Sequence, residues 1–203
     1  EMTSSLVGSE MCIRDSYNRD PMSHGHINFT RCGLPIDVQK RIGEKFWGSP
    51  DTVDAIGDYT PTNIYKMKRL QWVVARKELH DMLGICSWTA PWEVSPLREK
   101  GYIGDIEMES KVFRAVTGIE MTQDDLDKAG LRAFILQRLY TMRQLKSRNP
   151  RQDHDQYPEW IFWDPKDKAP FTKGTIRMER SDIEKSFDLF YGLMDFDVKT
   201  GAP

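Results

Sequence analysis

A long amphipathic stretch closed by a glycine constrains this chain more than any other feature. Thr62 or Asn63 can cap a helix running to about Leu83, with Ile64, Met67, Leu70, Val74, Leu79 and Met82 near helical spacing. Gly84 stands where that helix should stop. Asp81 falls on its last turn, where a carboxylate meets the negative end of the helix macrodipole at a cost of about 0.3 kcal/mol or more. Such a placement asks for a partner off the helix. Cys86 follows two residues beyond the glycine, so thiol and carboxylate can reach the same place. Together they read as one half of a cofactor site.

The other elements are also helical. Ile36 to Trp47 carries Ile36, Ile42, Phe46 and Trp47 and ends at Gly48. A helix is expected from Asp105 to just before Gly118, with Ile106, Val112, Phe113 and Val116. Thr122 and Asp125 resemble a capping box, opening a helix to about Leu145 through Leu126, Ala129, Ala133, Leu136, Leu139 and Tyr140. Ser181-Asp182-Ile183-Glu184 is a second capping box, for a last helix to about Tyr191. The segments 17–35, 49–61, 84–104 and 149–175 read as turn or loop, the last one aromatic and broken by proline. No alternating run is long enough for a sheet, and no repeat is present, so the expected fold is all-α: an irregular multi-helix domain.

Composition narrows the function classes. Twenty-nine basic residues are interleaved with 31 acidic ones for a net charge of -2, which gives no electrostatic case for nucleic acid. No apolar run is of membrane-spanning length, and no basic region followed by an apolar run marks a secretory signal. Three widely spaced cysteines argue against a disulfide framework and for a reducing compartment. The expectation is a cytoplasmic protein. Residues 1–16 have no periodicity, and Met11 to Asp15 resembles a translated sequencing adapter; on that reading residues 1–16 are non-native or disordered, the fold occupies 17–203, and a preceding part of the same chain has been lost. Cys12 is therefore set aside.

Asp81-Met82-Leu83-Gly84-Ile85-Cys86 resembles the D-x-x-G-L-C motif in the C-terminal part of tungsten-dependent aldehyde ferredoxin oxidoreductases, with Ile85 in the leucine's place. Two further stretches agree. Val116-Thr117-Gly118, the acidic run Gln123 to Asp127 and the arginines Arg132 and Arg143 look like a helical segment of the family; Phe190 to Asp195 and Thr200-Gly201-Ala202-Pro203 resemble its closing tail. The resemblance implies a tungsten (or molybdenum) ion between two pterin cofactors beside a [4Fe-4S] cluster. It implies that Asp81, with Gly84 and Ile85, binds a pterin, and that Cys86 is one of four cluster ligands. The family's first domain, with a C-x-x-C-x-x-x-C motif, is absent here, so this chain alone would supply one cluster thiolate and should not assemble the cluster. The chemistry suits the residues: a carboxylate can accept two neighbouring pterin N–H donors at once, and a thiolate is what iron takes.

His24 and His26 lie where the family carries an R-G-x-x-H stretch whose histidine faces the metal-bound substrate, with Asp20 in place of the glycine and one extra residue of spacing. They are the candidate catalytic residues, His24 ahead of His26, as proton donor or acceptor near neutral pH. His80 should point roughly 100° around the helix from Asp81, so orienting the motif is the role it fits. Cys32 reads as a buried structural thiol, and Arg132, Arg138 and Arg143 as a solvated or salt-bridged helix face. Trp88 and Trp92 follow Cys86 and could shield a cluster from water.

The resemblance implies oxidation of an aldehyde to a carboxylic acid, with ferredoxin or another iron–sulfur carrier as electron acceptor; a homo-oligomer is left open. The same family includes members that reduce an aromatic-ring thioester. The rival from another class is a helical interaction module in which Asp81 and Cys86 are incidental.

Overall fold

Six α-helices carry the residues that this computed structural model describes, 34–52, 62–85, 93–156 and 180–203. Helix α1 (Ile36–Trp47) ends at Gly48, whose φ of 84° lets its N–H return to Glu44. Helix α2 (Ile64–Leu83) is capped by Asn63, whose side chain accepts from the N–H groups of Tyr65 and Lys66, each at 3.0 Å. Helix α3 spans Met108–Thr117 and α4 spans Gln123–Leu145. Thr122 and Asp125 form a reciprocal capping box on α4, so the aspartate suffices where glutamate is the more usual partner. Helix α5 (Pro150–Asp153) and helix α6 (Arg180–Leu193) complete the set. Among the described residues there is no strand, only an isolated antiparallel bridge between Val94 and Ile103. The all-α expectation holds.

Three local expectations are corrected. Helix α3 begins at Met108, because Asp105 instead accepts the N–H of Glu107 and holds the entry as a turn. Helix α6 already includes Arg180, so Ser181 lies inside the first turn and does not cap it; Asp182 accepts the N–H of Thr62 at 2.9 Å and ties the start of α6 to the start of α2. The segment after Asn149 opens on a short helix, with the Asn149 side chain accepting from Gln152 and Pro150 in the first position, where no N–H is needed. Residues 1–16 lie outside the described residues, as does most of 17–35.

Helix α2 is the axis of the packing. On one side Leu34, Val38, Ile42 and Trp47 form a cluster that takes in Trp72 of α2 with Val94, Tyr102 and Ile103. On another, Met67, Leu70 and Val74 meet Phe134 of α4 and Leu189, Phe190 and Leu193 of α6. The two long helices cross at Gly130 of α4, which is buried against Ala75. Helix α4 buries Leu126 and Gly130, while Leu136, Leu139 and Tyr140 are exposed; the apolar residues at helical spacing along it divide between two faces, and only one meets α2.

Because much of α2 is covered, several of its polar residues are buried as well. Arg69, Arg76, Lys77, Glu78 and His80 are all nearly inaccessible. Arg69 lies over the Trp47 ring and Arg76 over the Trp72 ring, with the two indoles edge to face at 5.5 Å.

Candidate cofactor site at the end of α2

The end of α2 is built from main-chain bonds. Gly84 adopts φ 70°, ψ 26°, its N–H points at the Asp81 carbonyl, and the Ile85 N–H reaches the His80 carbonyl at 2.8 Å. This is a Schellman turn, closed by the left-handed residue that glycine adopts without penalty. No atom lies within 4 Å of where a β-carbon on Gly84 would sit, so backbone conformation, and not crowding, accounts for the glycine.

Asp81 stands at the open edge of that turn with 36% of its side chain exposed, and Lys77 lies 3.8 Å away, one helical turn back. No hydrogen bond to a described residue occupies its oxygens. With Lys77 at 3.8 Å from Oδ1 and no such hydrogen bond made, the carboxylate can still accept the two-donor edge of a pterin, so the residue fits the group the motif implies.

A buried charge network fixes the helix behind it. His80 Nε2 lies 2.8 Å from Glu109 Oε1, and Arg76 Nη1 lies 2.5 Å from Glu109 Oε2, with Glu109 fully enclosed. Arg76 also reaches Asp127 of α4 through Nε at 2.6 Å and the carbonyl of Ile106 at 2.6 Å. Burial raises the Glu109 carboxyl, but the His80 hydrogen bond and the Arg76 charge outweigh it and hold the group below its ordinary range. The last turns of α2 are thus fastened to α3 and α4 together. Past the turn, the chain is caught again at Glu93, a buried carboxylate paired with Arg69 of the same helix. Residues 85 and 93 therefore both attach to α2, on either side of the segment that contains Cys86.

Of the residues singled out from sequence, Asp81, Gly84 and Ile85 share this turn. Cys86, His24, His26, Cys32, Trp88 and Trp92 lie outside the described residues. His80 faces inward, as its place on the helix requires, and meets Glu109. Arg138 is salt-bridged to Asp155 and donates to the Gly201 carbonyl at 2.8 Å, so it holds the closing tail. Sequence reasoning missed Arg76, Glu109 and Asp127. The available signal was the density of charge on a helix already read as core-forming, since charges there need partners from neighbouring elements. Among the described residues no group of three or more His, Cys, Asp or Glu side chains is arranged to hold a metal ion. No described helix is long and apolar enough to cross a membrane.

The sequence model for domains 2 and 3 of aldehyde ferredoxin oxidoreductase matches residues 24–203. The chain belongs to the aldehyde ferredoxin oxidoreductase family. The match spans every helix described above and the whole of the α2 turn. No solved structure matches the chain.

Proposed function

We propose that this chain is the C-terminal, pterin-facing part of an enzyme that oxidises aldehydes to carboxylic acids and passes the electrons through a [4Fe-4S] cluster to ferredoxin or a similar iron–sulfur carrier. The observation that carries the reading is the exposed Asp81 carboxylate, hydrogen-bonded to no described residue and paired only loosely with Lys77 at 3.8 Å, on a glycine turn two residues before Cys86. A tungsten or molybdenum bis-pterin, when bound, supplies the oxygen transfer and takes up the electrons. Asp81 orients the pterin by accepting two N–H donors, and Gly84 and Ile85 hold the turn at the angle the carboxylate needs. Cys86 gives one thiolate to the cluster, while the remaining three come from an earlier domain of the family. The Arg76–Glu109–His80 network keeps the end of α2 from shifting as the charge beside it changes. His24 and His26 are the proposed proton carriers at the substrate.

The test separates the carboxylate from the thiol in the intact enzyme. Asp81→Asn, which turns one acceptor into a donor, should lower bound pterin and metal while the cluster absorbance survives. Cys86→Ser should weaken or shift the cluster and keep most of the metal. Full metal and pterin content in Asp81→Asn would remove the basis for the assignment.

A further inference from the structure

Glu78 sits one turn before Asp81 on α2, so the two carboxylates are neighbours on the helix surface, about 5–6 Å apart at their β-carbons. Their surroundings differ. Asp81 is at the open edge with Lys77 beside it, whereas Glu78 is 4% exposed and its Oε2 accepts the Gln137 side-chain N–H of α4 at 2.5 Å. Among the described residues the charged groups acting on Glu78 are Asp81 and Lys77 of its own helix; the facing helix contributes the uncharged Gln137. When two adjacent carboxylates compete, the proton goes to the one removed from water. Burial first, and then the negative charge of Asp81, push Glu78 up to about 7, against weaker opposing pulls from Lys77 and Gln137.

We propose that Glu78 is a positioning residue that works by holding a proton next to Asp81, so that the charge on Asp81 and the proton on Glu78 are coupled. The functional part of this rests on the pterin-binding role proposed for Asp81. Protonated on Oε1, Glu78 still accepts from Gln137 through Oε2. Negative charge arriving at the turn draws a proton from solvent onto Glu78; withdrawal of charge from Asp81 returns it to solvent. The cofactor site would then exchange protons with water at a residue that touches neither pterin nor metal.

Carboxyl-resolved NMR titration of the full chain tests the coupling without any cofactor. Glu78 should titrate near neutrality. Asp81→Asn should lower its proton affinity by about tenfold, and Lys77→Met should raise it, because the two neighbours act on it with opposite sign. A structural disturbance has no reason to give opposite shifts. A Glu78 that titrates in the ordinary carboxylate range, or that ignores both variants, overturns the proposal. In the intact holoenzyme, metal–pterin retention should vary between about pH 6 and pH 8 and lose that dependence in Glu78→Gln. Flat retention in the parent enzyme, with the NMR midpoints moving as expected, would overturn the pterin role of Asp81 and leave the proton coupling standing.

Discussion

The carbonyl oxygen of Ala75 lies 2.1 Å from the place a β-carbon on Gly130 would occupy. The two longest helices therefore meet backbone to backbone, and the contact has no room for even a methyl group. Gly130→Ala should force α4 off α2. The expected loss is at the upper end of overpacking costs, about 3 kcal/mol, despite alanine's better helix propensity. Denaturant unfolding of the variant would measure it; a stability equal to or above the parent's would contradict so close a crossing.

Arg76 serves two carboxylates and a carbonyl from inside the fold. Arg76→Met leaves Glu109 enclosed without its cation and should cost about 3–5 kcal/mol. Adding Glu109→Gln should recover part of that, since the stranded charge is gone. A double-mutant cycle by chemical denaturation would show the coupling as strong non-additivity.

Acid should weaken the fold through two named groups. Burial raises the Asp155 carboxyl, but hydrogen bonds from Arg138, His154 and Tyr191 outweigh it, and Asp155, like Glu109, ends below its ordinary range. A carboxylate depressed in the folded state contributes stability that is present above the unfolded value, ~4. That contribution is lost as pH falls through the folded value. Thermal midpoints should drop below about pH 4, and Asp155→Asn should shrink that slope.

Glu78 acts with the reverse sign. Its folded value lies near 7, above the ordinary carboxylate range, so between those limits the folded state binds the extra proton. Stability should fall as pH rises through that window, by up to about 3 kcal/mol. Glu78→Gln should remove the decline and exceed the parent in stability at pH ~8, measured by urea unfolding at both ends of the window.

The closing tail is seated in a socket too small for a side chain. Gly201 has φ 69°, and a β-carbon on it would come within 2.8 Å of both Arg138 and the Tyr191 ring. Gly201→Val should release the tail from Arg138 and cost about 1–3 kcal/mol. Protease cleavage within the last residues, slow in the parent and fast in the variant, would report it.

Much of this arrangement was legible in the sequence because it is written locally. Asn63, Thr122, Gly48, Gly84 and Gly118 are cap and stop residues whose chemistry acts within a turn, and the helices obey them. Ser181 misled for the same reason: it has the right neighbours for a cap, yet its box partner Glu184 is held by Arg151, a contact between residues far apart in the chain. The candidate site divides likewise. Asp81, Gly84 and Ile85 form one short motif and were readable. Glu78 looks like any solvated glutamate until α4 covers it with Gln137, and Glu109 looks like part of a surface helix until Arg76 and His80 claim it. Pairing over such separations depends on which helices become neighbours, and apolar periodicity does not encode that.

Helix α3 buries one residue along its length, and that residue is Glu109; Val112 and Val116 point to solvent. It is moored by directional polar bonds and not by an oily stripe. Its hold on the core therefore depends on polar geometry, with Glu109 at the centre and the Ser110 N–H to Gln123 bond beside it, and local opening is expected to begin there. Whatever loosens that mooring also takes Glu109 from His80, one residue before Asp81.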